Sequence, residues 1–254
     1  FLPRYGNLDV LLAHGDTVLL GLKRRKLVRV MHGSALGEAF TARNPLRFVA
    51  QFVIYFQELV SALLQPNTVG VSRNSTRHNP FVRKWIYNGV DTNRFRPNPA
   101  ARSKEPSILF VGTLAGRKRG RWLLDMFQDQ ILPRFPGSIL HLVTEPGPPL
   151  PGVCYHTGIS DEALALLYQE CWVYASPSRY EGFGLPYLEA MASGTPVLAT
   201  SNPGSREVIG DGEFGILAED PDFSCQLLML LSDENKRAEL IEKGLIRAEE
   251  LSMD

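Results

Sequence analysis

The chain has 254 residues, enough for one large domain or two of ordinary size, and its 44 % hydrophobic and 21 % charged content excludes disordered and fibrous classes. Three cysteines, Cys154, Cys171 and Cys225, are an odd number without metal-like spacing; they exclude a disulfide framework and fit a reducing, cytoplasmic setting. The zero net charge hides a split, with 20 Lys/Arg against 6 Asp/Glu in residues 1–121 and 7 against 21 in residues 122–254, so the front half suits an anionic partner (phosphorylated substrate, anionic membrane surface or nucleic acid) as well as it suits a plain solvated surface.

The chain opens at Phe1 without initiator Met, basic-then-apolar leader or cleavage pattern, and reads as a piece of a longer protein. Asp9–Ala13 and Leu27–Met31 are apolar runs expected as buried strands. Leu46 to Gln65 is rich in Phe, Val and Leu but carries Arg47, Gln51, Gln57 and Glu58. Arg47, Gln51 and Glu58 recur at helical spacing, which predicts a partly buried amphipathic helix and not a bilayer span. The stretch 88–106, with three prolines and three asparagines, predicts a linker, placed at 91–105, between a first domain over 1–90 and a second over 106–254. Two strands and one long helix are too little for a doubly wound domain, so the first domain is expected to be truncated.

In the second half, strands are predicted at Ser107–Val111, Ile139–Val143, Trp172–Ala175 and Pro196–Ala199. Helices are predicted at Gly120–Leu132, at Asp161–Glu170 behind a Ser160 cap, and at Leu185–Ala192. This alternation implies α/β architecture with parallel sheets covered by helices.

The densest signal runs from Ser176 to Pro196, S-P-S-R-Y-E-G-F-G-L-P-Y-L-E-A-M-A-S-G-T-P. It leads from a strand end through Gly182 and Gly184 into a helix opened by Leu185 and Pro186, a setting suited to phosphate because free N–H groups and the positive dipole end point outward. Glu181 precedes the loop. Glu189 lies inside the helix, where an ionised carboxylate can accept from a vicinal diol such as ribose. A basic turn, Arg117-Lys118-Arg119, follows the strand ending at Val111 and faces the same sheet edge, and such groups are the usual partners of phosphate oxygens. Each feature has a plainer counterpart: an ordinary strand-to-helix turn, an acidic residue near a helix start, a solvated basic turn. Gly210-Asp-Gly-Glu-Phe-Gly215 matches G-x-G-x-x-G but leads into a strand, not a helix. No HExxH, CxxC, GxSxG or Walker loop is present. A metal site is not expected.

The Glu181 to Glu189 pair, with Gly-Phe-Gly-Leu-Pro between, resembles the E-x7-E motif of retaining glycosyltransferase family 4. Phe110 to Lys118 is similar to the V-G-T-L-x-x-R-K pattern of one branch, and Tyr87–Pro97, Val71-Ser72, Ser205–Asp211 and Ala248–Ser252 extend the likeness along nearly the whole chain. The resemblance implies a GT-B fold of two Rossmann-like domains, transfer of a sugar with retention from a UDP-, GDP- or ADP-sugar to a hydroxyl acceptor (glycan, lipid-linked or small molecule), and no cofactor or metal. It implies that Arg117 and Lys118 hold the donor diphosphate and stabilise the leaving group. Glu189 would bind ribose. Glu181, Gly182, Phe183, Gly184 and Leu185 would contact sugar and phosphate, residues 155–158, Gly158 included, would frame the base, and His32 would stand near the anomeric carbon. Thr113 occupies a position where many members carry Arg, which leaves Arg119 as a possible substitute. A nucleotide-sugar epimerase of the same fold and a non-enzymatic anion-binding module are the alternatives. Nucleic acid is not expected as a partner, because aromatic stacking platforms are missing near the arginines. Peripheral docking on an anionic membrane is expected from the basic first half.

Overall fold

The computed structural model describes residues 10–15, 27–42 and 44–253, so the start of the strand predicted from Asp9 lies outside the described residues. The chain divides into two compact units, Phe1–Tyr87 and Asn88–Asp254.

In the first unit, three parallel strands stand in the order β1 (Leu11–His14), β2 (Leu27–Met31), β3 (Thr68–Gly70). The helices are α1 (Ala35–Ala39), α2 (Pro45–Leu64) and α3 (Arg73–Thr76). Caps set their starts: Ser34 accepts from the Gly37 amide, Asn44 accepts from Leu46 with Pro45 at the first position, and Ser72 and Ser75 form a reciprocal box. In the long helix, expected to be partly buried and amphipathic, Arg47 is exposed while Glu58 turns inward. Glu58 is buried, accepting from the Ala35 amide at 3.1 and 3.2 Å, and the fully buried Arg29 of β2 donates to the Glu58 carbonyl. The reason is local: a five-residue helix leaves amides at its start that need an acceptor, and Glu58 supplies one. The apolar stripe lies outward instead, with Leu46, Val49, Val53 and Phe56 exposed, and α2 has the length and composition of a membrane span.

The second unit is a six-stranded, wholly parallel sheet. Its strands are β4 (Ser107–Val111), β5 (Ile139–Val143), β6 (Val153–His156), β7 (Val173–Ser176), β8 (Val197–Thr200) and β9 (Ile216–Ala218), in the spatial order β6-β5-β4-β7-β8-β9. Its helices are α4 (Gly120–Met126), α5 (Asp161–Glu170), α6 (Leu185–Ala192), α7 (Pro203–Ile209), α8 (Phe223–Ser232) and α9 (Glu234–Glu250). The central strands read as unbroken apolar runs because both faces are covered. Ile108 and Phe110 pack among Leu123, Phe127, Phe223 and Leu227. Alternation sends Leu109 and Tyr174 to the other face, where the Tyr174 ring lies 5.6 Å from Tyr168 and 6.1 Å from Tyr187. The helix predicted to reach Leu132 keeps its length but changes its winding. After Met126 it continues as a π turn over Phe127–Ile131, with the Leu132 amide donating to the Phe127 carbonyl.

The stretch 91–105, expected as a linker, is fastened to the second unit. Its polar residues cap that unit's open groups: Arg94 pairs with Asp161, the Arg102 guanidinium donates to the carbonyls of Cys171 and Gly194, and the Trp172 indole donates to the Ser103 carbonyl. Val90 bridges to Ser252, with the Val90 amide donating to Leu251 and the Met253 amide to Val90.

Candidate active site

The strand order reverses between β4 and β7. These neighbours are followed by connections that leave in opposite directions, β4 toward β5 and β7 toward β8. The region beyond the strand ends at such a switch point is the usual ligand position in open α/β sheets. The loop after β4 is 112–119 and contains a 3-10 turn over Gly116–Lys118; the loop after β7 is 177–184 and feeds α6. The basic turn and the glycine loop singled out in the sequence are those two loops.

They are tied to each other. The Arg179 amide donates to the Arg117 carbonyl at 2.9 Å, and the Arg117 guanidinium donates to the Tyr180 carbonyl at 2.6 Å. Glu181 sits between the two cations, 2.9 Å from Arg117 Nη1 and 2.7 Å from Lys118 Nζ. Its side chain is 8 % exposed against 32 % for Arg117, so the carboxylate is the buried partner and Arg117 is the face a ligand would meet. Burial alone would raise the Glu181 pKa, but Lys118 and Arg117 outweigh it and hold the carboxyl below its ordinary value. A buried carboxylate survives only with such partners. Two cations against one anion leave one positive charge at this site, the sign a diphosphate requires.

Arg119 is not part of this group. It takes a left-handed backbone (φ 61°) and forks onto Asp220 with contacts of 2.6 and 2.8 Å, its guanidinium 4.3 Å from the Trp122 ring centroid. The structure pairs Arg119, expected as a possible substitute for an arginine at Thr113, with Asp220 and does not bring it onto Glu181 with Arg117 and Lys118.

Neighbouring elements seat the glycine loop. Thr200 Oγ1 and Asn202 Nδ2 donate to the Ser178 carbonyl at 2.6 and 2.9 Å. Gly204, in the first turn of α7, lets Glu181 and Phe183 approach so closely that a Cβ there would stand 2.6 Å from the Glu181 carbonyl oxygen. Gly184 is left-handed (φ 105°), and a Cβ on it would meet the Tyr187 ring at 2.4 Å; only glycine satisfies both conditions. Phe183 is buried, while Gly182 and Leu185 are half-buried at the start of α6. Gly158 lies beyond β6 with φ 63° and open space where a side chain would be, and Tyr155 is a partly buried ring close against Gly147.

Glu189, within α6, is half-buried and accepts from the phenol of Tyr168 at 3.0 Å. Burial raises its pKa, Asp161 adds to the rise, and the Tyr168 hydrogen bond and Lys118 oppose it. Neither Tyr168 nor Gly204 was singled out in the sequence. A tyrosine inside a helix reads as core, and a glycine after Asn-Pro reads as helix start; the Asn202 cap signal could have pointed to the second but not to the first. His32 belongs to the first unit, where it is exposed and its Nε2 is 2.7 Å from His14 Nδ1 with the rings stacked at 5.0 Å. Burial and then His14 lower its pKa. Among the described residues no three His, Cys, Asp or Glu side chains group as a metal site would.

Residues 150–247 match the family model described as glycosyl transferases group 1. The chain is similar to O-antigen chain mannosyltransferase B of Escherichia coli, 33 % identical over 164 residues, which is 58 % of this chain and 42 % of that protein. It is also similar to the GDP-mannose-dependent alpha-(1-6)-phosphatidylinositol monomannoside mannosyltransferase of Mycolicibacterium smegmatis, 32 % identical over 163 residues, 53 % of this chain and 42 % of that one. The match thus spans less than half the length of either relative. Among solved structures, sucrose-phosphate synthase from Thermosynechococcus elongatus superposes with TM-score 0.73 at 22 % identity, covering 94 % of this chain and 69 % of that one. Anabaena Alr3699/HepE in complex with UDP and glucose superposes with TM-score 0.75 at 19 % identity, covering 95 % and 73 %. The parallel α/β architecture is that of GT-B glycosyltransferases.

Proposed function

We propose that the chain, whose residues 150–247 match the glycosyl transferases group 1 and which is similar to mannosyltransferases of that kind, transfers a sugar, with retention of anomeric configuration, from a nucleoside diphosphate sugar to a hydroxyl acceptor. One observation carries the reading: the Arg117–Glu181–Lys118 cluster stands at the sheet's switch point, just ahead of the N-terminus of α6. There two cations and the positive end of the α6 dipole can grip a diphosphate and take up the negative charge that grows on it as the sugar departs. Arg117 and Lys118 do in this proposal what a metal ion would do elsewhere. Glu189 binds the ribose hydroxyls, Glu181 with residues 182–185 contacts sugar and phosphate, Gly158 leaves room beside the base, and His32 acts from the acceptor side.

The relatives named as mannosyltransferases make GDP the first nucleotide to try, and the UDP-bound neighbour makes UDP the second. We place the enzyme in the cytoplasm, with its basic first unit resting on an anionic membrane surface, in keeping with the exposed apolar stripe of α2. Calorimetric titration of the wild type and Lys118→Ala with GDP, UDP and ADP tests the donor reading. One diphosphate is expected to bind with a Kd that rises about tenfold or more in the variant; wild type and variant binding equally well would refute it.

A further inference from the structure

The ribose-binding role given to Glu189 depends on a carboxylate that is ionised and held in one orientation, and the residue that does both was not evident in the sequence. Tyr168 is fully buried on α5. Its ring is held edge-on by Phe95 at 5.9 Å and by Tyr174 at 5.6 Å, and its carbonyl accepts from the Thr195 hydroxyl. A phenol has one hydrogen to give, and here it goes to Glu189 Oε2 at 3.0 Å. The other oxygen of Glu189, Oε1, accepts no hydrogen bond from any described residue.

We infer that Tyr168 is a positioning residue for nucleotide recognition: it commits one oxygen of Glu189, fixes the carboxylate plane, and leaves the remaining acceptor sites to the ribose diol. The inference rests on the donor-site reading above. Burial keeps the Tyr168 phenol protonated, its pKa well above the ordinary value, with Glu189 adding to the rise, so it is a permanent donor. The charged and titratable groups facing Glu189 are Tyr168 and Asp161 of α5, Lys118 of the loop after β4, and Tyr174 of β7. Burial and Asp161 push the carboxyl toward protonation, whereas the phenol and Lys118 favour the anion. Without the phenol, Glu189 titrates at higher pH, and a protonated carboxyl loses acceptor capacity at the place where two hydroxyls need it.

The test uses GDP and UDP, together with their 2′,3′-dideoxy forms, titrated into the intact wild type, Tyr168→Phe and Glu189→Gln, each over pH 5 to 8. Tyr168→Phe is expected to weaken the ribonucleotide about tenfold, to leave the dideoxy nucleotide unchanged, and to move the acid limb of ribonucleotide binding to higher pH. Equal weakening of both nucleotides would mean that Tyr168 acts only through packing, and no weakening of either would mean that it does not act on Glu189; each overturns the inference. Failure of the donor reading has a different signature. Glu189→Gln would then leave the preference for ribo- over dideoxy-nucleotide untouched, or neither nucleotide would bind the wild type, and the inference falls with it.

Discussion

Replacing Gly204 by alanine places one methyl group where the donor loop rests. The new Cβ would lie 2.6 Å from the Glu181 carbonyl oxygen, 2.8 Å from Glu181 Cβ and 2.8 Å from the Phe183 carbonyl oxygen. None of these atoms belongs to a flexible side-chain end, so none can swing aside. An ordinary C···O contact is about 3.3 Å, so the segment has to retreat by about 0.7 Å. Overpacking of this kind costs about 1–3 kcal/mol, which for a protein of this size lowers the melting temperature by several degrees. The larger effect falls on function. Glu181 holds Arg117 and Lys118, so all three charges move together, and misplacing positioned groups by about 1 Å costs up to about a hundredfold in rate. Melting curves and nucleotide titration, with sugar transfer measured once an acceptor is in hand, read both effects. An unchanged melting temperature would refute the close seating of the loop on α7. A lowered melting temperature with nucleotide binding and transfer intact would refute the link between loop position and diphosphate grip.

Two further outcomes follow from other parts of the molecule. His141 of β5 lies 3.0 Å, Nδ1 to Nε2, from His156 of β6, and burial, with His156 adding, lowers its pKa to about 4. A histidine depressed in the folded state binds its proton more readily when unfolded, so its stabilising contribution is complete above about pH 6.5 and is lost as pH falls toward about 4. Urea unfolding of His141→Gln at pH 5 and pH 7.5 is therefore expected to show a smaller acid loss than the wild type, and an equal loss would count against the assignment. For the first unit, co-sedimentation is expected to be stronger with anionic than with neutral vesicles, and Phe56→Asp on the exposed face of α2 is expected to reduce it; indifference to lipid charge would dismiss membrane docking.

The parts of the fold readable from sequence were those in which one local rule was enough. The run at 107–111 announces a strand because both its faces are buried, 139–143 does so because buried Leu140 and Leu142 alternate with half-buried neighbours, and Ser160 announces α5 because its hydroxyl accepts from the Ala163 amide. The strands β3 and β6 escaped because three or four residues with half-buried positions carry too little periodicity. The α2 helix was found, but its orientation was not, since an acid at helical spacing gives no sign that a neighbouring helix start needs it as an acceptor. At the site, the residue types could be read but their pairing could not. Nothing local tells that Arg117 and Lys118 converge on Glu181, that Arg119 turns to Asp220 101 positions away, or that a helix tyrosine spends its only proton on Glu189. Those facts arise from the strand order, which brings loops some 60 residues apart to one edge.

The bridge between Val90 and Ser252 makes the second unit a closed ring of chain, entered and left at one seam. There the Val90 amide donates to the Leu251 carbonyl and the Met253 amide donates to the Val90 carbonyl. Residues near both ends of the second unit are held together by these two bonds, so neither end can fray without breaking a bond to the other.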